Sequence, residues 1–348
     1  YIDRLSRIPA IMEMPYNDII RKFIDMYAGR LRNQVSFMLS ACNFYMPIFE
    51  EALDAYGLPL ELRYLPIIES ALNPSAVSRA GASGLWQFMI GTGKIYGLES
   101  NSLVDERRDP IKATWAAARY LKEMYDIYGD WNLVIAAYNC GPGTINKAIR
   151  RANGETDYWK IYNYLPKETR GYVPAFIAAN YVMTYYCDHN ICPMETNIPA
   201  STDTVQVNKN LHFEQIADLC NVPLDQIKSL NPQYKKQMIP GDSKPYTLRL
   251  PIDAISTFID KQDTIYAHRA DELFRNRKTV AVKEITPSTR KTTAAVAGKG
   301  KLTYYTIKSG DTLSTIARKY GVTIKDIQRW NGMSNTKIAA GKRLKIYK

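Results

Sequence analysis

An internal repeat with an offset of 100 residues constrains the second half of this 348-residue chain more tightly than any other feature. Seven positions of one copy recur in the other: Phe213, Ile216, Ala217, Val222, Leu224, Ile227 and Asn231 match Leu313, Ile316, Ala317, Val322, Ile324, Ile327 and Asn331. A chance match at one fixed offset over this many positions is improbable. The repeat therefore predicts two copies of a small β-α-α-β module.

Short alternating segments predict the strands at both ends of each copy. These segments are Thr204–Val207 and Thr247–Leu250 in the first copy, and Tyr304–Ile307 and Arg343–Tyr347 in the second. Between the copies, Asp253–Arg277 has a charged helical pattern. Thr279–Gly300 is rich in Thr, Ala, Lys and Gly and has no apolar period. That composition is typical of a flexible linker, so we expect the second copy to be tethered loosely.

The first half of the chain, through residue 190, has the spacing of amphipathic helices and almost no strand signal. Apolar residues recur at helical intervals, for example in Ile19–Tyr27 and Tyr172–Tyr186. Asp109 and the proline after it provide a cap and a first helical position for Ile111–Tyr125, and Gly129 follows its end. We therefore predict a compact all-α domain here.

The net charge of +12 at pH 7 is concentrated at the C-terminal end of the chain. From Arg275 to Lys348 there are 18 Lys/Arg residues against three acids, Glu284, Asp311 and Asp326. Residues 1–274 consequently carry 28 basic and 31 acidic side chains. A basic tail indicates either an anionic partner, such as nucleic acid, a membrane surface or the bacterial wall, or a linker that its charge keeps solvated.

Cysteine and histidine usage argues against a structural metal site. The five cysteines form no Cys-x-x-Cys element, and the three histidines have no ligand spacing. Cys187 and Cys192 are close enough in sequence for a small disulfide, although an odd total leaves one thiol without an intrachain partner. No run of eighteen apolar residues is present that would span a membrane. The chain begins at Tyr1, and we expect that any targeting segment has been removed or is left out of this sequence.

A carboxylate among apolar neighbours is the first candidate for chemistry. Glu69 lies in the segment Leu65–Pro74, at an expected helix end. Desolvation disfavours an anion, so an acid in such surroundings keeps its proton to a higher pH than in water. A general acid at a glycosidic oxygen needs this property. On this segment alone, a solvent-facing glutamate at a helix terminus is the simpler interpretation.

Two later segments favour the interpretation of Glu69 as a catalytic acid. Gly81–Phe88 contains Gln87, and Ala136–Gly143 contains Tyr138 and Asn139. Glycines let a backbone approach a ligand closely, and the amide and phenol side chains offer directional hydrogen bonds. Taken singly, the first segment is explained by a turn that opens a helix. Together with the Glu69 segment, in this order and within one helical domain, the set is recognisable.

The set resembles the goose-type lysozyme and soluble lytic transglycosylase superfamily. The signatures of that superfamily are a Glu-Ser pair followed by Asn-Pro, a Gly-Leu-x-Gln-Phe element and an Ala-Tyr-Asn-x-Gly element. Arg170–Pro174 resembles a further motif of the branch called membrane-bound lytic murein transglycosylase D. The resemblance covers about residues 45–190. Two positions depart from it: Trp86 stands where many relatives have Met, which should reshape the floor near Glu69, and Cys140 where a small residue is commoner.

The resemblance implies an all-α lysozyme-like catalytic domain with Glu69 as the sole catalytic acid and base. Ser70 would orient Glu69, Gln87 and Tyr138 would hold the substrate, and Asn139 and Tyr172 would line the cleft. The implied reaction cleaves the β-1,4 bond between N-acetylmuramic acid and N-acetylglucosamine in peptidoglycan without consuming water, and it leaves 1,6-anhydromuramoyl ends. It requires no metal or organic cofactor.

A second carboxylate, which two-acid glycosidases need at a defined separation, is not supplied by these motifs. Glu61 lies about two helical turns before Glu69, and Asp105 is expected in an unrelated loop. The sequence therefore favours a mechanism with one carboxylate.

The second module resembles a LysM domain, with Tyr-Thr-Ile-Lys-Ser-Gly-Asp-Thr-Leu-Ser-Thr-Ile-Ala beginning at Tyr305. The resemblance implies a shallow groove for N-acetylglucosamine-containing glycans, and its expected glycan-binding residues are Gly310, Asp311, Thr312, Leu313 and Asn331. Asp311 and Thr312 can equally cap the following helix. The first module has Asn210-Leu211-His212 at the matching loop, so binding of glycan and spacing against the catalytic domain are both open for it.

We accordingly expect an α+β chain in five parts. These are an N-terminal helical segment over 1–40, the lysozyme-like domain over 41–198, a degenerate LysM module over 202–251, a helix and flexible basic linker over 252–302, and a LysM module over 303–348. The expected partner is peptidoglycan rather than nucleic acid. The expected location is the periplasm or cell envelope, and a lipid anchor to the outer membrane would lie outside these residues.

Three other functions remain open. A hydrolytic muramidase would share Glu69 but need a second acid to activate water. A cysteine endopeptidase, which LysM modules often accompany, would need a Cys-His pair, whereas His189 is the only histidine before the repeats. A wall-binding protein with an inactive enzyme fold would be free to lose Glu69, Gln87, Tyr138 and Asn139, and all four are present.

Overall fold

The computed structural model describes residues 1–196, 198–199, 201–275, 280, 282–285, 302–308, 311–331, 333, 338–339 and 341–347. The chain separates into two units, Tyr1–Pro287 and Ser288–Lys348. No helix in the described ranges is both long and apolar enough to cross a membrane. The five cysteines are free thiols, and Cys187 and Cys192 are exposed.

Residues 1–190 form helices joined by loops, 3-10 turns and isolated bridges, which confirms the predicted all-α domain. The helices are α1 (Ile2–Ser6), α2 (Asp18–Ala28), α3 (Arg32–Ala55), α4 (Leu65–Ser70), α5 (Ile90–Ile95), α6 (Pro110–Tyr128), α7 (Trp131–Cys140), α8 (Pro142–Arg151), α9 (Tyr158–Ile161), α10 (Lys167–Arg170) and α11 (Tyr172–Thr184). Asp109 caps α6 by accepting from the amides of Ile111 and Lys112, and Gly129 ends it with φ 62°. The predicted helix end at Tyr125 was three residues short.

Two helices that are apolar on nearly all sides organise the core of this domain. α7 buries Asn132–Ala137 without interruption, and α11 buries most of its residues. Such helices lie inside a fold because no side of them favours water. α11 packs against α2, α4 and α7. α11 therefore brings α4, which carries Glu69, into the same core as α2 and α7.

The N-terminal helical segment shares its core with the rest of this domain. α3 runs without a break from Arg32 to Ala55, so the expected boundary between residues 40 and 41 lies inside a helix. Ile20, Ile24 and Val35 are fully buried in the same core as α7 and α11. The amphipathic pattern of α2 predicted an apolar face but not the helix that covers it, and that helix is α11.

The first module contains β1 (Thr202–Val207), β2 (Asn210–His212), α12 (Phe213–Cys220), α13 (Leu224–Leu230), β3 (Met238–Pro240) and β4 (Tyr246–Pro251). β1 and β4 are the two strands that the repeat predicted, and they pair antiparallel, whereas the antiparallel pair of β2 and β3 was not predicted. The helices α14 (Ile252–Asp260), α15 (Gln262–Ala267) and α16 (Ala270–Leu273) follow. Ala254, Phe258 and Ile265 are buried in the core of the module. These helices therefore belong to the module, because their apolar faces complete its core, and not to a linker.

The second module contains β5 (Leu302–Thr306), α17 (Leu313–Tyr320), α18 (Ile324–Trp330) and β6 (Arg343–Tyr347). β5 pairs antiparallel with β6, with Leu302 opposite Tyr347. Its core includes Tyr305, Ile316 and Ile346. The β-α-α-β order is confirmed. Most of the predicted flexible linker, including residues 286–301, lies outside the described residues.

Candidate active site

Glu69 lies one residue before the end of α4, a six-residue helix whose first turn is buried. The helix ends because Ala71 and Leu72 both adopt left-handed backbone angles, with φ 51° and 59°. Residues with a side chain rarely adopt this conformation, and such strain is concentrated at functional sites. The turn places Glu69 on the wall of a cavity of about 430 Å³.

Three parts of the chain line this cavity, and Glu69 carries the only carboxylate among its described lining residues. They are Tyr27, Leu31, Gln34 and Met38 from the N-terminal helices, Ile67, Ile68, Glu69, Ser70 and Ala71 from α4 and its end, and Ala76, Val77, Ser78 and Gln87 from the loop that follows. The site thus combines an apolar wall with one ionisable acid and a few hydrogen-bonding groups, as ligand sites commonly do.

Burial raises the pKa of Glu69 from 4.5 to about 7, and a hydrogen bond from Tyr172 opposes this rise. Tyr172 is the first residue of α11, and its hydroxyl donates to Glu69 Oε1. Burial, followed by the nearby charge of Glu69, raises the pKa of Tyr172 well above its ordinary value, so the phenol stays protonated as a donor. An acid with a pKa near 7 exists in both protonation states at neutral pH and can both give and take a proton.

The loop Gly81–Phe88 is closed by one guanidinium. Arg107 Nη1 donates to the carbonyl of Gly81 at 2.8 Å and to that of Phe88 at 2.9 Å. Inside the loop, Gly84 has φ +87°, and a Cβ at this position would lie 1.7 Å from the carbonyl oxygen of Arg107. Only glycine fits there. This close approach explains the glycine of the Gly-Leu-x-Gln-Phe motif.

Gln87 reaches the cavity from this loop in a left-handed conformation, with φ 48°. Its Nε2 donates to the carbonyl of Gly84 at 2.8 Å and to that of Ala76 at 3.3 Å. The amide is therefore fixed by the loop that carries it. The structure brings Gln87 and Glu69 to the same cavity, as the resemblance led us to expect.

Ser70 does not make the orienting contact with Glu69 that the resemblance implied. Its Oγ lies within hydrogen-bond distance of the carbonyl oxygens of Pro66, at 3.0 Å, and of Leu85, at 2.9 Å, which share its one hydrogen. A serine in a helix often bonds the carbonyl four residues earlier, which is the first of these contacts. The second ties α4 to the Gly81–Phe88 loop. The described hydrogen bond to the Glu69 carboxylate comes from Tyr172 instead.

Tyr138 and Asn139 lie near the site but are not among the residues that line the Glu69 cavity. Tyr138 OH donates to the carbonyl of Trp86 at 2.7 Å. Burial is the main cause that raises the pKa of this phenol well above its ordinary value, and the charge of Glu69 is the next. Asn139 Oδ1 accepts from Thr169 Oγ1 at 2.9 Å. Both side chains connect α7 to neighbouring segments.

Trp86 differs from its expected role as part of the floor near Glu69. Its side chain is fully buried outside the lining of the cavity. Its Nε1 donates to Thr114 Oγ1 at 2.9 Å, and its ring packs edge-on against Phe49. Trp86 therefore anchors the loop to α3 and α6.

The wall formed by Tyr27, Leu31, Gln34 and Met38 was missed by the sequence analysis. Leu31, Gln34 and Met38 have the spacing of one helix face, which is the signal that marks them. That spacing gives no information on which cavity the face borders. The answer depends on how α2 and α3 pack on the rest of the domain.

In the second module, the loop residues mainly stabilise the fold. Asp311 Oδ2 accepts from the amide of Lys308 and from Tyr305 OH, both at 2.8 Å. Thr312 Oγ1 accepts from the amide of Thr315 and so caps α17, while Leu313 is buried. Asp311 therefore turns back toward β5 rather than capping the helix. Gly310 lies outside the described residues.

Asn331 joins the end of α18 to β6 and makes its hydrogen bonds inside the module. Its Nδ2 donates to the carbonyls of Ile327 and Lys345 at 2.8 Å, and its Oδ1 accepts from the amide of Lys345 at 2.7 Å. Asn231 makes the same three kinds of contact in the first module, with Ile227 and Arg249. The repeated asparagine is thus explained by the fold.

A cavity of about 410 Å³ adjoins Asn331 in the second module, and Asp311, Thr312 and Leu313 are not among the residues that line it. It is lined by Ile307, Asn331, Met333, Ile338, Ala339, Lys342, Arg343 and Leu344. Among the four described residues expected to bind glycan, Asp311, Thr312, Leu313 and Asn331, only Asn331 borders this cavity.

Comparison with protein families divides the chain in the same order. Residues 46–161 match the transglycosylase SLT domain, residues 201–267 the LysM-like domain of lytic transglycosylase MltD, and residues 305–346 the LysM domain. The second match extends through α15, which agrees with the helical extension of the module.

Several individual proteins that this chain resembles are also named lytic transglycosylases. Membrane-bound lytic murein transglycosylase D of Escherichia coli K12 is 31% identical over 96% of this chain and 70% of its own length. Soluble lytic murein transglycosylase of the same organism is 33% identical over 34% of this chain and 19% of its own. The crystal structure of the 70 kDa soluble lytic transglycosylase of E. coli is 29% identical over 41% of this chain and 24% of its own, with a TM-score of 0.36. The chain therefore belongs to the lytic murein transglycosylases that include membrane-bound transglycosylase D, and it is a peptidoglycan lytic transglycosylase with LysM-type modules.

Proposed function

We propose that this enzyme cleaves the β-1,4 bond between N-acetylmuramic acid and N-acetylglucosamine without water and forms 1,6-anhydromuramoyl ends. The observation that carries the proposal is Glu69, whose pKa is about 7 and which is the only carboxylate among the described residues that line its cavity. A hydrolase of the usual kind would need a second acid across the bond to handle water.

The reaction proceeds in two steps on this carboxyl group. Protonated Glu69 gives its proton to the glycosidic oxygen, and the bond to the muramic C1 breaks. The acetamido group of the substrate stabilises the cationic centre, as in other substrate-assisted glycosidases. Glu69 as carboxylate then takes the proton of the muramic C6 hydroxyl, whose oxygen bonds to C1. The proton that left Glu69 in the first step is thus replaced in the second.

Tyr172 supports this cycle, because its hydroxyl hydrogen-bonds to the carboxylate that forms between the two steps. A bond to the charged form favours that form. Gln87 lies on the same cavity with its Nε2 held by backbone carbonyls. We assign it contact with the sugar, whereas Ser70 and Tyr138 hold the loop that presents it.

Hydrolysis with a second acid is the nearest alternative, and the two acids considered for that role are already engaged. Glu61 Oε1 accepts from the backbone amides of Ile11 and Met12. Asp105 forms a buried ion pair with Arg107, with 2.8 Å between Nη2 and Oδ2. Both carboxylates stabilise the fold, which favours the one-carboxylate mechanism.

Cysteine peptidase chemistry is disfavoured by the positions of the thiols and imidazoles. Burial raises the pKa of Cys140, whereas a nucleophilic thiol needs a lowered one. The histidines have other partners: His189 contacts Tyr181 OH, His212 caps α12, and His268 contacts Asp218. These contacts leave glycosidic cleavage as the supported chemistry.

The test is mass spectrometry of the sugars released from purified peptidoglycan, with Glu69→Gln alongside. We expect muropeptides lighter by one water than hydrolytic products, and none from the variant. Hydrated reducing ends would assign the protein to the muramidases. Release by Glu69→Gln at the wild-type rate would remove Glu69 from the mechanism.

We further propose that the basic C-terminal module serves glycan strands rather than nucleic acid, and that the protein is held at the outer membrane by a lipid anchor. The first part is tested by sedimentation with insoluble peptidoglycan in the presence of excess DNA. Release by DNA at constant ionic strength would contradict it. The second part is tested by metabolic labelling of the product of the full gene with a fatty acid, where lack of label would exclude the anchor.

A further inference from the structure

The loop that connects α5 to α6 joins the first module to the loop Gly81–Phe88, which carries Gln87 and is called the catalytic loop below. Within residues 98–108, Leu103 and Val104 are buried in the core of the module, not in that of the helical domain. Val104 also forms an antiparallel bridge with Tyr234. This segment of the catalytic domain therefore depends on the module for its burial.

Backbone and side-chain hydrogen bonds fix the same contact. The amide of Asp105 donates to the carbonyl of Gln233 at 2.8 Å, and the amide of Lys235 donates to the carbonyl of Leu103 at 2.6 Å. Lys235 Nζ donates to the carbonyl of Asn101 at 2.9 Å. The module thus holds the loop on both sides of Leu103 and Val104.

Asp105, which lies in the segment held by the module, in turn fixes the position of the Arg107 side chain. Its two carboxylate oxygens accept from Arg107 Nε at 2.9 Å and Nη2 at 2.8 Å, and the side chains are 2% and 6% exposed. Paired planar groups of this kind fix direction as well as distance. Lys235 Nζ adds a second cation 3.8 Å from Asp105 Oδ2. The remaining nitrogen of Arg107 closes the Gly81–Phe88 loop, which carries Gln87 to the cavity of Glu69.

The first module is closed at two positions that border a cavity in the second module, and its own cavity of about 500 Å³ is lined instead by Lys209, Asn210 and Asp242 together with residues from Tyr266 to Arg275. Met238 and Ile239 lie in β3, paired with β2, and are buried. At the matching positions of the second module, Ile338 and Ala339 border the cavity of about 410 Å³. Asn210 and Asp242 further join the two loops of the first module, with 2.6 Å between Nδ2 and Oδ2.

We propose that the first LysM-like module positions the catalytic loop instead of capturing glycan, with Lys235, Asp105 and Arg107 as positioning residues. The proposal rests on the proposed function, because it uses the place of Gln87 at the Glu69 cavity. A small misplacement of Gln87 should lower the rate of the chemical step more than it weakens substrate binding.

The experiment compares the full chain with Lys235→Met, with Lys235→Arg as the conservative variant. Lys228→Met is the matched control, since Lys228 in the same module pairs only with exposed Asp225 among the described contacts. We expect Lys235→Met to lower kcat on soluble glycan strands by roughly tenfold with KM unchanged. Sedimentation with insoluble peptidoglycan should not change. Lys235→Arg should restore most of kcat, and the control should match the wild type.

Unchanged kcat in Lys235→Met would overturn the proposal, and so would a loss confined to KM and sedimentation, which would make the module a glycan binder. If Lys235→Met unfolds at the assay temperature, Lys235→Gln replaces it, because it removes the cation near Asp105 but keeps a polar side chain near the carbonyl of Asn101. An unchanged kcat in that variant would overturn the proposal equally. Rates are counted as bonds cleaved, whereas product mass separately tests the proposed function.

Discussion

Tyr172, at the start of α11, donates its hydroxyl hydrogen bond to Glu69, at the end of α4. These residues are 103 positions apart in the chain. Burial raises the pKa of Glu69 to about 7 even though this bond lowers it. Burial and the hydrogen bond from Tyr172 thus shift the pKa of Glu69 in opposite directions, and each of these effects can be changed by mutation.

Replacing Tyr172 with Phe should shift the pH profile of the enzyme to higher pH. Loss of a hydrogen bond to the carboxylate raises the pKa of Glu69 further, so the proton is lost later as pH increases. From the pKa of Glu69 we expect the alkaline limb of kcat/KM near pH 7 in the wild type, and it should move upward in the variant. Tyr162→Phe is a control on a tyrosine away from the cavity. An unmoved or acid-shifted limb would contradict the assignment.

Replacing Glu69 with Gln should stabilise the protein at alkaline pH while abolishing activity. The folded-state pKa of Glu69 is raised, so the native protein binds more protons than the unfolded chain between about pH 4.5 and 7, and stability falls as pH rises through this window. The variant avoids a penalty of about 3 kcal/mol above pH 7. Its Tm should exceed that of the wild type at pH 8 and equal it at pH 4. Equal Tm values at both pH values would argue against a buried carboxylate.

Replacing Gly84 with Ala should disrupt the catalytic loop. The added Cβ meets the carbonyl of Arg107 at 1.7 Å, and φ +87° is unfavourable for alanine. We expect a loss of roughly 2 kcal/mol or more in the free energy of unfolding, together with most of the activity. Gly91→Ala in α5 is the matched control, because nothing lies within 4 Å of its added Cβ. Comparable denaturation midpoints for the two variants would show that the close approach is relaxed in solution.

Replacing Asn231 with Ala should destabilise the first module. Asn231 is 1% exposed, and its removal leaves the carbonyl of Ile227 and both backbone groups of Arg249 without this partner. Each buried group left unpaired costs about 1–3 kcal/mol. Ser229→Ala, on the exposed side of α13, is the control. Urea unfolding should show a lower midpoint for Asn231→Ala alone, and a midpoint equal to that of the control would refute the structural role of the repeated asparagine.

The sequence predicted those features that depend on local pattern. The helices of the first 190 residues, the cap at Asp109 and the β-α-α-β repeat follow from periodicity and capping, which act within a few residues. The motif resemblance identified Glu69 and Gln87 as candidates, and the structure places both at one cavity.

The remaining features depend on contacts between distant segments. The bond from Tyr172 to Glu69, the wall formed by Leu31 and Met38, and the dependence of Leu103 on the first module each join segments that no local pattern connects. Ser70 shows the converse: its hydroxyl has a local partner in the carbonyl of Pro66, so adjacency to Glu69 in sequence did not make it the orienting residue.

The central claim is that Glu69 alone performs the cleavage and that no water enters the product. Digestion of peptidoglycan in water labelled with heavy oxygen tests this most directly, with hen lysozyme digestion as the hydrolytic control. The mechanism predicts muramic ends that lack one water and carry no label, while the control products carry it. Label at the new reducing ends would contradict the claim and would require an acid that activates water at this site.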